Sequence, residues 1–504
     1  MNWPLLEELK KNGILTFLDL HFARRAAKYL GSLTEEEASV FAIAMAAARQ
    51  GHLCVDSSTL GDELFRQGIL SVKTNPFLHI EEGRVYLPKN KQIENSIMAH
   101  LRRLAGKKSE AKLPPFPLAD KLNLQQKEAV GIAINHRLTL LTGGPGTGKT
   151  FTAAAIVQAF SPLRKVILAA PTGRAADNLK KRIQGIEPFY AGTLHTLLGT
   201  RNIEQPPEFP WLDADLILVD ECSMIDAPLL RALLSALPDS ATTVLMGDPD
   251  QLSPVGIGSL FSDLSSWKTD IPLGRAHLQQ CVRTDEMPLL ELTTALQKNL
   301  PCEWPLLSWA MEDHEEFYKK IWETTKSFWP KPTSHVPDRH SLLEEIGRFR
   351  ILSTLRHGLL GTEAINEYLA RRLRSLAKPG DWKLSPIQIT RNDSATGLCN
   401  GELGILIERQ RSESYALFPG IEAPIPISML PSYELAFCTS VHKSQGSEYQ
   451  EVLLIVPPGS ESFGREMLYT GITRAKKKLS IVSTQEILSA MQKQRLHRLS
   501  GFRF

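Results

Sequence analysis

The segment GGPGTGKT, residues 143–150, has the residue types and spacing of a loop that wraps phosphates. Its glycines let backbone N–H groups turn toward one anion at the start of a helix, where the dipole favours negative charge. Lys149 is long enough to reach β and γ phosphates, and the Thr150 hydroxyl suits a Mg²⁺ ion. The candidate nucleotide contacts are Gly143, Gly144, Pro145, Gly146, Thr147, Gly148, Lys149, Thr150 and Phe151. A glycine-rich turn without function is the alternative; the apolar LTLLT before the loop and the alanine-rich helical text after it weigh against that. Downstream, LILVDECSM at 216–224 ends a buried strand on Asp220 and Glu221. Adjacent carboxylates at a strand tip repel unless a cation is near. Asp220 fits the metal shell, and Glu221 fits the base that activates an attacking water.

Three further segments carry polar groups beside apolar strands. VLMGDPDQLSPVG places Gln251 just past a strand end, where it fits either a γ-phosphate sensor or an ordinary turn. Phosphoryl transfer also needs positive charge on its transition state, often an arginine from another domain. Arg283 in HLQQCVRT and Arg474 in MLYTGITRAKKK are the candidates, although position alone says little about an arginine. TSVHKSQGSEY, at 439–449, crowds Thr439, His442, Gln445 and Glu448 next to the strand text VLLIV. Each of these polar groups needs a partner if it is buried.

The elements that must position these residues follow from pattern and composition. A chain of 504 residues exceeds one core, so several domains are expected. The apolar fraction of 42% and charged fraction of 22% are those of an ordinary globular protein, and a net charge of +3 does not by itself indicate nucleic acid. Six scattered cysteines without a CxxC pair read as reduced thiols, which with the lack of a signal peptide or a spanning segment places the protein in the cytoplasm. Residues 1–112 read as a helical N-terminal domain, closed by a lysine- and proline-rich linker. Residues 113–270 alternate short strands (LTLLT, VILAA, LILVD, TVLMG) with helices, the signature of a parallel sheet. Residues 271–504 return to α/β text, interrupted at about 385–435 by short antiparallel strands that suggest a small barrel.

The order LNLQQKEAV, GGPGTGKT, APTGRAA, AGTLHTLLG, LILVDECSM, GDPDQLSPVG, QCVR, TSVHKSQGSEY, LYTGITRAK resembles superfamily 1 DNA helicases, in particular the 5′→3′ branch that contains RecD. TRNDSATGLCNGELGI, STLRHGLLGTEAINEYL and GHLCVDSSTL look like RecD-type text as well, so the resemblance covers nearly the whole chain. It implies two RecA-like parallel-sheet domains, a helical N-terminal domain and a small SH3-like β insertion, with ATP and Mg²⁺ in the cleft. It further implies that Gln126 reads the adenine edge, Gly446 lies at the γ-phosphate, Glu448 contacts ribose, and Arg283 and Arg474 complete the site from the second domain. Pro171, Thr172, Arg174, Thr193, His195, Thr439 and His442 match positions on the DNA strand or its coupling side. Taken alone, His195 reads as a cap or packing residue. The implied partners are single-stranded DNA and a duplex end, with RecB and RecC as fellow subunits of the RecBCD helicase–nuclease (exodeoxyribonuclease V) in double-strand break repair. The nuclease site is not expected in this chain.

Two features depart from the family pattern. Val282 stands where an aromatic residue usually precedes the arginine, which bears on base stacking. TRNIEQPPEFP, at 200–210, is short for a strand-separating pin and fits a plain loop equally well. Two other functions are compatible with the motifs: a stand-alone helicase, whose relatives carry a longer N-terminal region, and a scaffold that binds ATP without unwinding. Stimulation of ATP hydrolysis by single-stranded DNA separates the scaffold from the helicases, and co-purification with two large partners separates the subunit from the stand-alone enzyme.

Overall fold

The computed structural model describes residues 3–56, 63–106, 115–160, 165–183, 187–207, 210–280, 287–336, 338–393, 395–409 and 414–503. Val282, Arg283 and Phe209 therefore lie outside the described residues.

The strand text upstream of residue 280 forms one six-stranded parallel sheet. Its order is Tyr190–Thr193, Val166–Ala170, Leu216–Val219, Thr242–Gly247, Leu138–Gly143, Gly274–Leu278. These strands are apolar on both sides because helices cover both faces. Alternate residues of one strand enter different cores: Leu216 and Leu218 pack with Ile156 and Val157, whereas Ile217 and Val219 pack with Leu229 and Leu233. The phosphate-loop strand and the carboxylate strand are thus fixed in one layer on either side of the strand Thr242–Gly247, and all three end at the same edge. Ligands bind at this edge in open parallel sheets.

A second parallel sheet of five strands runs Leu306–Leu307, Ala475–Val482, Tyr449–Ile455, Phe349–Ser353, Cys438–Ser440. Its core is the largest apolar cluster, built on Ile351, Leu453, Leu454, Ile481 and the helix Gly464–Ile472. Between its strands is inserted a five-stranded antiparallel sheet from Lys383–Ile389 to Tyr433–Leu435, with one face covered by Leu342 and Ile346 of helix Arg339–Arg348.

The N-terminal region is mainly helical, as its text predicts. Thr34 and Glu37 form a reciprocal capping box that starts the alanine-rich helix Glu35–Arg49. The region also holds a three-stranded antiparallel sheet of Cys54–Asp56, Arg84–Tyr86 and His79–Glu81, which the sequence did not announce. Strands of three residues carry too little alternation to read. Its last helix, Pro88–Leu104, buries Ile93, Ile97, Leu101 and Leu104 in the core of the first parallel sheet. The segment after residue 493 returns to the same place. Leu53 N–H donates to the Leu499 carbonyl at 2.9 Å, Gly501 N–H donates to Glu94 Oε2 at 2.8 Å, and Phe502 is fully buried against Trp267 with ring centroids 5.2 Å apart.

Candidate nucleotide cleft

The loop after strand Leu138–Gly143 needs two left-handed residues, and both are glycines: Gly146 at φ 74° and Gly148 at φ 83°. A side chain on Gly143 would meet Thr147 Oγ1 at 2.7 Å and the Leu278 carbonyl at 2.8 Å, so that position is closed to Cβ as well. Gly148 caps helix Lys149–Ala159, whose N-terminus opens on the cleft. The loop is held from within. Thr147 Oγ1 donates to the Gly144 carbonyl at 2.8 Å, and Lys149 Nζ folds back onto the carbonyls of Gly143 at 2.6 Å and Gly144 at 3.0 Å. Gln126 Nε2 donates to the Thr147 carbonyl at 3.2 Å. Gln126 is also the third residue of the capping box that Asn123 makes on helix Leu124–Asn135, so one side chain ties that helix to the phosphate loop.

The cleft above this loop has a volume of about 400 Å³. Gly144, Pro145, Gly146, Gly148, Lys149, Thr150, Phe151, Gln126, Asp220, Glu221 and Gln251 line it from the first sheet, and Gly446, Glu448, Arg474 and Lys476 line it from the second. Gly143 and Thr147 support the loop from below.

The acids sit in an environment that calls for a cation. Burial pushes the Asp220 carboxyl above its ordinary range, opposed by Lys149. Burial and then the neighbouring Asp220 push Glu221 up, opposed by Arg474 and Lys149. Glu221 holds a left-handed backbone at φ 54°, a conformation that costs of order 1 kcal/mol for a non-glycine residue and aims its side chain away from the strand direction. Its N–H donates to Asp220 Oδ1 at 2.8 Å. Thr150 and Asp220 offer the oxygen donors that suit Mg²⁺.

The second sheet meets the first through a short set of polar contacts. Arg474 is 4% exposed and is held within its own half, its guanidinium donating to the Thr470 carbonyl at 3.0 Å, the Ser447 carbonyl at 3.2 Å and Thr473 Oγ1 at 3.0 Å; the contacts across the cleft are others. Tyr469 donates to Asp248 Oδ2 at 2.9 Å, Gln297 Nε2 donates to Asp250 Oδ2 at 2.8 Å, and Leu252 N–H donates to Thr470 Oγ1 at 2.9 Å. Gln445 Nε2 reaches the Leu252 carbonyl at 3.4 Å. Glu448 pairs with Lys476 at 3.0 Å. The crowded polar segment at 439–449 therefore spends part of its hydrogen-bonding capacity across the cleft. Gln251 donates to Asp248 at 3.4 Å, while its Oε1 is buried with no partner among the described residues, an acceptor facing a site where a ligand donor or water would sit.

The candidate DNA contacts are more dispersed. Thr172 Oγ1 accepts from Ala175 N–H and caps helix Gly173–Arg182; Thr193 Oγ1 accepts from Thr196 N–H and caps Leu194–Leu198. Pro171 is half-buried beside Thr172, whereas His195 and His442 are exposed. Thr439 is 2% exposed, and its hydroxyl has no partner among the described residues. Arg174 lies in the nucleotide cleft, with its guanidinium over the Tyr449 ring. Asn178 and Arg182 follow it into the cleft from the same helix. Sequence reasoning missed those two, although their spacing of four from Arg174 puts all three on one helical face. Tyr469 and Gln297 carried no signal, because their partners Asp248 and Asp250 lie 221 and 47 residues away, in another sheet's loop. The segment at 200–210 begins with a short helix, Thr200–Glu204. Among the described residues no group of three or more His, Cys, Asp or Glu could hold a metal ion, and no helix is long and apolar enough to cross a membrane.

Comparison with known proteins agrees with this geometry. Residues 126–257 match the AAA domain family, and residues 435–482 match the UvrD-like helicase C-terminal domain family. The RecBCD enzyme subunit RecD of Mycolicibacterium smegmatis is 29% identical over 75% of this chain and 74% of that protein. The same subunit from Mycobacterium tuberculosis is 26% identical over 99% of this chain and 96% of its own length. The ATP-dependent RecD2 DNA helicase of Deinococcus radiodurans is 27% identical over 85% of this chain and 60% of that protein. Among solved structures, the Pif1 helicase from Bacteroides in complex with ADP-AlF3 and single-stranded DNA aligns with a TM-score of 0.43 and 16% identity, covering 73% of this chain and 94% of that one. From its N-terminal helices to its last parallel strand, this chain is similar in sequence to the RecD subunits of Mycobacterium tuberculosis and, over three quarters of its length, Mycolicibacterium smegmatis.

Proposed function

We propose that the protein is an ATP-dependent 5′→3′ DNA helicase and translocase of the RecD type, acting in the cytoplasm as a subunit beside RecB- and RecC-like partners in double-strand break repair. The observation that carries this reading is the convergence of Lys149, Asp220, Glu221 and Gln251 from one parallel sheet with Arg474 from the other on a single cleft. In this reading Lys149 leaves the carbonyls of Gly143 and Gly144 for the β and γ phosphates. Thr150 and Asp220 would hold Mg²⁺, which shields the phosphate charge. Glu221, kept protonatable by burial and strained in its backbone, takes the proton of the attacking water once a nearby cation lowers its carboxyl. Arg474 stabilises charge on the transferring group only while the sheets are close. Arg283 has the same role in this reading.

The cross-cleft contacts of Tyr469, Gln297 and Leu252 are few and polar, which suits an interface that opens and closes. If each sheet grips the DNA backbone at loop ends such as Thr172 and Thr439, one closure per ATP moves one grip against the other. The decisive experiment measures ATP turnover with and without single-stranded oligonucleotide, and then unwinding of duplexes with 5′ or 3′ tails, alone and with the two partner subunits. Stimulated turnover and unwinding from the 5′ tail are expected. Turnover indifferent to DNA would return the chain to an ATP-binding scaffold.

A further inference from the structure

Arg350, on strand Phe349–Ser353, is fully buried, and its chemistry is unbalanced. Its Nη2 donates to the Ile346 carbonyl at 2.7 Å, but Nε and Nη1 have no hydrogen-bond partner among the described residues. Its guanidinium instead sits 5.2 Å from the centre of the Tyr449 ring. Tyr449 is 1% exposed and begins the strand after the segment at 439–449. Arg174, from the first sheet's side of the cleft, sits 5.9 Å from the same ring, and its Nη1 is likewise buried without a partner. Two guanidiniums from the two halves of the molecule thus flank one buried phenol. Burial pushes this phenol up, but Arg350 and then Arg174 outweigh it and hold it below its ordinary value. Burial, and more weakly Arg174, lowers Arg350.

A buried cation without an anion is costly, and a half-buried second one beside it raises that cost. Aromatic faces and a phenol oxygen soften that cost without cancelling it. Arg174, unlike Arg350, has somewhere to go, because it lines the nucleotide cleft together with Asn178 and Arg182.

We propose that Arg174, Tyr449 and Arg350 form a clasp across the cleft that nucleotide occupancy opens. In the structure Arg174 rests on Tyr449 against the repulsion of Arg350. A bound triphosphate draws Arg174 onto its oxygens, which relieves that repulsion and frees the second sheet's Tyr449 from the first sheet. Tyr449 and Arg350 are then positioning residues: they set how readily Arg174 leaves, and so link nucleotide affinity to the contact between the two sheets. This inference rests on nucleotide binding in the cleft as proposed above.

The test is a double-mutant cycle on the full chain, read as the dissociation constant of a fluorescent, non-hydrolysable ATP analogue with Mg²⁺. Arg174→Met should weaken binding roughly tenfold or more, the loss of a charged hydrogen bond. Tyr449→Phe keeps the ring but removes the phenol oxygen, which also interacts with the Arg174 guanidinium, so binding should tighten by about two- to fivefold, and that gain should vanish in the Arg174→Met background. Arg350→Met removes the repulsion and should weaken binding severalfold, again only while Arg174 is present; this variant replaces a buried charge by an apolar chain of similar length, which buried sites tolerate. Circular dichroism checks each fold, and if Tyr449→Phe fails to fold, Arg350→Met carries the cycle with the opposite sign. A Tyr449→Phe effect that is absent, weakening, or equal in both backgrounds overturns the clasp. Lys149→Gln separates the two claims: if the wild-type chain does not bind the analogue, or binds it as Lys149→Gln does, the nucleotide reading itself fails.

Discussion

The nucleotide cleft and the candidate DNA-facing rim are built from similar residue types held in opposite states. In the cleft, polar groups from distant segments converge: two carboxyls raised by burial, a Gln251 oxygen with no partner among the described residues, and a lysine folded onto its own loop. On the rim, Thr172 and Thr193 already serve as helix caps, and His195 is exposed on the helix that Thr193 caps. The difference teaches that phosphate chemistry is concentrated and poised, whereas a sequence-indifferent backbone grip can be made of groups that also hold the fold. Substitutions in the two regions should therefore fail differently: the cleft loses rate with its stability intact, and the rim loses stability along with binding.

The largest effect belongs to Lys149. Lys149→Gln should leave circular dichroism unchanged and abolish ATP turnover, since among the described residues the lysine's hydrogen bonds go to loop carbonyls that water can replace. Turnover near wild type in a folded variant would break the assignment of the cleft. Arg474→Ala should reduce turnover at saturating single-stranded DNA by roughly 10³, as removal of an arginine finger does, with nucleotide-free DNA binding largely kept. Arg283→Ala should behave alike, and lysine should rescue either one poorly because it lacks the planar fork.

A third effect is one of pH. Asp220, Glu221 and Asp248 have carboxyls raised by burial, so the folded, nucleotide-free protein holds their protons more tightly than the unfolded chain does. Their contribution to stability is complete below the unfolded carboxyl range and is lost as pH rises through the raised folded values. Thermal unfolding in the absence of nucleotide should therefore show a midpoint that falls with rising pH in that window, with a flatter profile in Asp220→Asn and Glu221→Gln. An equal slope in the variants would count against burial as the cause.

The smallest effects are on the rim. Thr172→Val and Thr193→Val each remove a helix cap and should cost about 1 kcal/mol of stability by denaturant titration. They should weaken binding of mixed-sequence oligonucleotides modestly and leave the KM for ATP unchanged. Full stability with lost DNA affinity would sharpen the contrast by making these threonines dedicated contacts.

How much of this was legible in the sequence follows the same division. GGPGTGKT and LILVDECSM are local: their function is fixed by spacing within one loop and one strand end, so the cleft's floor could be read directly. The parallel strands were legible because each is a continuous apolar run. Gln126 was expected at the adenine edge; it lines the cleft, but its visible bonds go to the Thr147 carbonyl and to its helix cap. Tyr469 could not be placed, since its role arises from a contact that forms only when the sheets are brought together. Asn178 and Arg182 share a helical face with Arg174, and Arg350 is an arginine among apolar strand residues in FRILS, so the text carries signals for these three that spacing and burial explain.

The return of residues 494–503 to the N-terminal region bears on how the chain is made. Phe502 fills a place in the core that Trp267, Leu260 and Ile97 leave open, and Ser500 donates to the buried Asp263 at 2.6 Å. A ribosome emits all of the first parallel sheet long before it reaches these residues, with the whole second sheet in between. The earlier sheet must therefore wait with an apolar notch and a buried acid uncovered while its neighbour is synthesised. Its final consolidation is a late event of biogenesis, exposed during that interval to chaperones and proteases. Removing Phe502 would open the core of the domain made first.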